Sequence, residues 1–176
     1  MTAEAIASAM RRFRAVLDRR PQAGMHTDEP AIACWSQGTR VVSRHANGMQ
    51  VATDMPGELG GTGDQVTPGW LFRAALASCA ATRIAMGAAA DGIVLTRLEV
   101  SAGSTSDARG LLGMINGAGE RVRPAPSEVS LAVRVCAADI PRERLQSLIE
   151  DSCRCSPVSD AVLNAVPVSL RIEIDP

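Results

Sequence analysis

Apolar positions recur every three to four residues at Ile6, Met10, Phe13 and Leu17, so residues 1–20 predict a charged amphipathic helix. The PQAGMHTDEP stretch breaks that rhythm and serves as a linker. Short apolar runs follow in AIACWS, TRVVSRH and MQVATDM, three strand candidates, with Asn47-Gly48 supplying a hairpin turn between the last two. A glycine-rich loop, PGELGGTGDQVTPG, leads into the most apolar stretch of the chain, GWLFRAALASCAATRIAMGAAADG. Thr67-Pro68 starts that stretch as a helix, a capping hydroxyl followed by proline at the first helical position, and Gly92 stops it. Beyond it IVLTRLEVSAG, EVSLAVRVCA and VPVSLRIEI read as strands, the second alternating Val129, Leu131, Val133 and Val135. RGLLGMINGAGERVRPAPS is a long loop or ragged hairpin. DIPRERLQSLIEDSCRC is a second helix, with Pro141 in its first turn and Pro157 ending it. The order is helix, three strands, helix, two strands, helix, strand: an α+β domain over 30–176, preceded by a helix and linker over 1–29.

A helix over 68–91 is roughly 36 Å long, enough to span a bilayer. Arg73 and Arg83 exclude that reading, because each charge near the centre of a span costs about 2.5–3.5 kcal/mol. A helix apolar on most faces in a soluble protein is one surrounded by protein. Cys79 lies between the two arginines. Arg83 falls one turn beyond it and within about 40° around the helix axis, and a guanidinium beside a thiol favours the thiolate. The same spacing suits a small core filler, with Arg83 reaching a carboxylate elsewhere.

Composition changes this picture in three ways. Lys and Arg number 18 against 19 Asp and Glu, a balance that gives no electrostatic reason to expect nucleic acid or an anionic membrane as partner. Aromatics are confined to Phe13, Trp35, Trp70 and Phe72, so burial between subunits is one way to complete a core of small aliphatic side chains. Five cysteines form an odd set and no apolar signal segment opens the chain, which points to a reducing cytoplasm.

The apolar stripe of the second helix is Leu145, Leu148 and Ile149. Cys153 and Cys155 project about 80° to either side of it, and Ser152 and Ser156 lie closest to its centre. A residue before proline is usually not helical, so Cys155 and Ser156 leave this projection. Zinc binding is disfavoured, since a C-x-C pair with only His26 and His45 elsewhere lacks the usual ligand spacing. GGTG is neither a phosphate loop nor a dinucleotide fingerprint, and two histidines leave no Ser/His/Asp set to assign. No cofactor is implied. Cys34 and Cys136 sit in strands and read as structural.

Taken together, TDMPGELGG, TPGWLFRAALASCAATRIAM and CSPVSDAVLNAVPVSLRIEI resemble the OsmC/Ohr family over roughly residues 30–175. The resemblance implies an intertwined homodimer of antiparallel sheets around long central helices, here with an added N-terminal helix. It implies a thiol-dependent peroxidase acting on organic hydroperoxides in oxidative-stress defence, with Cys79 as the peroxidatic residue and Cys155, or else Cys153, resolving it. A dithiol would regenerate the enzyme. An arginine from the N-terminal strands, Arg40 or Arg44, or Arg83 from the helix itself, would steady the thiolate and the departing oxygen. Two positions depart from the family pattern. Gly69 stands where the peroxidases carry a glutamate, and Ser156 rather than a cysteine directly precedes Pro157. Two other readings follow if those departures abolish the chemistry: a non-enzymatic member of the fold binding a small apolar ligand at its dimer interface, or a single-thiol sensor or thiol-transfer protein.

Overall fold

The computed structural model describes residues 2–175. Helix α1 (Ala3–Arg19) begins at Thr2, whose hydroxyl accepts from the Ala5 backbone N–H. It packs against the central helix and buries Ala7. Strands β1 (Ile32–Gln37), β2 (Arg40–Arg44) and β3 (Gln50–Thr53) form an antiparallel sheet with β2 in the middle. The predicted turn at Asn47-Gly48 joins β2 to β3, with Gly48 at φ +90° and the His45 N–H bonded to the Met49 carbonyl.

Helix α2 (Pro68–Ala90) starts as the sequence predicts, with the Thr67 hydroxyl accepting from the Trp70 N–H. Its buried positions Leu76, Ala80, Ile84 and Ala88 recur every four residues and form one face. Strands β4 (Leu95–Thr105) and β5 (Glu128–Ala137) pair antiparallel, matching Leu98 with Val135, Val100 with Val133 and Ala102 with Leu131. Those six side chains lie on the half-buried face, and α2 packs against β4. Between the strands the chain makes a short helix, α3 (Ala108–Leu111), and then a ragged hairpin held by the bridge between Ile115 and Arg121.

Helix α4 (Arg142–Arg154) packs on α2, and Ala88, Ile93 and Leu148 form a core cluster at that contact. Two expectations are corrected beyond it. Pro157 does not only end a helix; it opens another, α5 (Pro157–Leu163), at the first helical position, where a missing N–H costs nothing. The segment 166–174 does not form a strand. Its apolar alternation is present, but Val168, Leu170 and Ile174 are 93%, 84% and 88% exposed. A strand needs a neighbour to satisfy its backbone groups, and this segment has none within the described chain. No helix among the described residues is long and apolar enough to cross a membrane.

Candidate functional site

Cys79 lies midway along α2, half-buried, where α4 and α5 meet the helix. Helices α2 and α4 approach closely because residue 87 is glycine. A Cβ there would stand 2.6 Å from Ser152 Oγ and 3.0 Å from Leu148 Cδ1, inside contact distance for both. Ser152 is thereby buried against α2, and the chain leaving α4 is carried past Cys79.

At that point the backbone is set by proline. Ser156 precedes Pro157 and is extended (φ −85°, ψ 112°), since the proline ring disfavours a helical neighbour. Its side chain is completely buried, and Ser156 Oγ donates to Cys79 Sγ at 3.2 Å. Ser159 Oγ, one turn into α5, donates in turn to Ser156 Oγ at 3.1 Å. The two hydroxyls form a short donor relay that ends on the sulfur.

The other cysteines lie elsewhere. Cys155, expected to turn inward, is exposed at the end of α4, where its N–H bonds the Ser152 carbonyl. Cys153 is half-buried, and burial pushes its thiol above the ordinary range. Cys34 and Cys136 are exposed on β1 and β5. No disulfide links the five.

The candidate arginines separate just as clearly. Arg40 is engaged by two carboxylates, Asp64 and Asp54, and its Nη2 also donates to Thr62 Oγ1 at 2.7 Å. Both carboxylates raise its pKa, Asp64 the more. This cluster pins the glycine-rich loop to the sheet. Asp54 is buried and accepts from Thr39 Oγ1 (2.6 Å), Thr62 Oγ1 (2.7 Å), the Thr62 N–H (3.1 Å) and the Met55 N–H (2.8 Å). The Thr39 hydroxyl first, and then Thr62, hold its carboxyl far below the usual range. The loop closes over this group only because residue 61 is glycine: a Cβ there would fall 1.7 Å from the Met55 carbonyl oxygen.

Arg44 ends β2, opposite Ile32 and Gln50, and is exposed. Arg83 is half-buried on α2. Its Nη1 reaches Met86 Sδ at 3.9 Å, while its Nε is buried with no hydrogen-bond partner among the described residues. Arg73 donates to Ser104 Oγ at 3.3 Å and borders a cavity of about 520 Å³ at the start of α2. Met55, Leu59, Phe72, Leu111 and Pro124 give that cavity a mainly apolar lining. Gly69 also borders it, and a Cβ at that position would lie 3.7 Å from Arg73 Nη1.

Among the described residues no arginine donates to Cys79; Ser156 does. The signal for Ser156 was in the sequence, in the projection that put Ser152 and Ser156 nearest the centre of the apolar stripe. Both are buried, at 3% and 0% exposure.

No curated protein matches the chain. Solved structures do match it at low identity. An OsmC-like protein from Mycoplasma pneumoniae superposes with a TM-score of 0.66 at 13% identity, over 80% of this chain and 91% of that one. An organic hydroperoxide resistance protein OsmC from Legionella pneumophila gives 0.55 at 20%, over 79% and 93%. An organic hydroperoxide resistance protein from Elizabethkingia anophelis, with thiocyanate bound, gives 0.56 at 20%, over 80% and 93%. These likenesses establish a shared fold. The family profile described as OsmC-like protein matches residues 61–171, which carry α2, Cys79 and the Ser156–Pro157 turn. The chain belongs to the OsmC-like protein family.

Proposed function

We propose that this chain reduces organic hydroperoxides through Cys79 and works as a homodimer in peroxide defence. The observation that carries the reading is the Ser156 hydroxyl aimed at a half-buried thiol on the central helix. A core-filling cysteine has no need of a buried hydroxyl donor, whereas a sulfur that attacks peroxide must be held and oriented, as the Ser156 hydroxyl holds this one. Names borne by fold neighbours from Legionella pneumophila and Elizabethkingia anophelis point the same way. In the reaction the Cys79 thiolate attacks one peroxide oxygen and the O–O bond breaks. The alkoxide leaves and takes a proton as the alcohol, and Cys79 becomes a sulfenic acid. Arg83, one turn beyond Cys79 on the same helix, is the candidate guanidinium for steadying the departing oxygen. Its buried Nε lacks a partner and its sulfur contact is weak, whereas Arg40 is committed to Asp64 and Asp54.

The homodimer is supported by the chain's own unsatisfied surface. Residues 166–174 present exposed apolar side chains at alternate positions on a segment without regular secondary structure, and β4 and β5 each keep an open edge in a two-stranded sheet. Exchange of this segment between two copies would cover both. Consumption of cumene hydroperoxide in the presence of a small thiol tests the activity. Cys79→Ser is expected to abolish turnover and Cys155→Ser to retain it; equal turnover by wild type and Cys79→Ser would refute the reading. The apolar cavity beside Arg73 favours a second reading, ligand binding without catalysis. Tight binding of an apolar fluorescent probe by a protein that leaves hydroperoxide intact would select it.

A further inference from the structure

Ser156 holds the N-cap position of α5, yet its hydroxyl does not cap the helix. A serine there ordinarily accepts from a backbone N–H one turn on. Here the hydroxyl is diverted onto Cys79 Sγ, and the Ser159 side chain supplies the bond it accepts. The surrounding backbone fixes this choice. The Ser156 N–H bonds the Cys153 carbonyl, the Ser156 carbonyl receives the Asp160 N–H at 2.9 Å, and Ser152 is wedged against Gly87 four residues earlier. Putting Cys155 on the sulfur instead would break these bonds and expel a fully buried serine.

The geometry points to a single-cysteine cycle, in which oxidised Cys79 is resolved by an external low-molecular-weight thiol and Ser156 is the residue that positions the sulfur for it. This rests on the reading that Cys79 meets the peroxide. The sulfenic acid formed there has no thiol beside it, only an oxygen that cannot form a disulfide. The external thiol attacks Cys79 Sγ, an S–S bond replaces the S–O bond, and the hydroxide departs as water with the thiol's proton. A second molecule of the thiol attacks the outer sulfur, frees the Cys79 thiolate and leaves as the small disulfide. Two thiol molecules thus supply the two electrons and two protons that turn one hydroperoxide into alcohol and water. Cys153 and Cys155 take no part.

The test uses thiol–disulfide exchange, so it does not depend on peroxide chemistry. The reduced full-length protein is treated with bis(2-hydroxyethyl) disulfide, and every cysteine is mapped by mass spectrometry. The expected product carries a persistent mixed disulfide on Cys79, which 2-mercaptoethanol removes. Ser156→Cys is expected to behave differently. With a thiol 3.2 Å from Cys79 Sγ by the wild-type geometry, its mixed disulfide should collapse to an internal link between positions 79 and 156. That link reports the placement of residue 156 on the sulfur, while Ser156→Ala, which keeps the small side chain and removes the donor, is expected to slow mixed-disulfide formation at Cys79. A Cys79–Cys155 or Cys79–Cys153 link in the native chain overturns the proposal. So does a Cys79 that stays free while the exposed cysteines react, or a Ser156→Cys variant that forms no link. If the exchange results come out as expected but hydroperoxide is not consumed, the peroxidase reading falls and the external resolution of Cys79 stands.

Discussion

Gly87 and Ser152 lie so close that a single methyl group on residue 87 would sit 2.6 Å from the serine oxygen. This contact sets the path of the chain from α4 to Pro157 and so the position of Ser156 on Cys79. Gly87→Ala is therefore expected to destabilise the protein by about 1–3 kcal/mol, against the gain of up to about 1 kcal/mol that alanine gives in an open helix. Urea unfolding gives the stability change, and the alkylation rate of Cys79 should shift with it. A variant as stable as wild type would show that α4 moves aside freely.

Asp54 should matter for stability in a pH-dependent way. Its carboxyl is held far below the usual range in the folded state by Thr39 and Thr62. The stabilisation is thus complete above the unfolded value, about 4, and is lost as pH falls toward the depressed folded value. Asp54→Asn is expected to lower Tm by a constant amount between pH 5 and pH 7, with the gap narrowing below about pH 4. A gap that widens in acid would contradict the assignment.

Gly69 leaves Arg73 without an acidic neighbour one turn earlier on the helix. Gly69→Glu replaces the poorest helix former after proline and adds a negative charge in the first turn of α2. It also creates a Glu–Arg pair at the favourable spacing. A stabilisation of about 0.5–1 kcal/mol is expected, part of it lost in high salt. Thermal unfolding at low and high ionic strength checks both parts, and a lower Tm would contradict the prediction.

The proposed homodimer rests on the segment after α5. Replacing Leu170 and Ile172 with glutamate puts charge on the apolar row and is expected to give a less stable species of monomer mass by sedimentation. An unchanged dimer would move the interface to another surface.

Much of this architecture is legible in the sequence because local signals agree. Thr67-Pro68 marks the start of α2, Asn47-Gly48 marks the β2–β3 turn, and the alternation from Val129 to Val135 marks β5. The features that were not legible depend on distant partners. Asp54 and Asp64 lie 14 and 24 residues from Arg40, and no spacing rule reveals that they converge on it. Residues 166–174 have the pattern of a strand, but pattern alone supplies no hydrogen-bonding neighbour. Pro157 carries a double signal, end of one helix and start of the next, and the second depends on how α5 packs against α2. At Cys79 the sequence offered cysteines and arginines, whereas the folded chain supplies two serines.

The proposed chemistry stands or falls with Cys79 as the thiol that meets peroxide. Its most direct test is exposure of the reduced protein to one equivalent of cumene hydroperoxide with dimedone present, followed by mapping of the adduct. Dimedone on Cys79, loss of the peroxide in equal amount, and none of this in Cys79→Ser are the expected results. An unmodified Cys79 with the hydroperoxide left intact would contradict that chemistry.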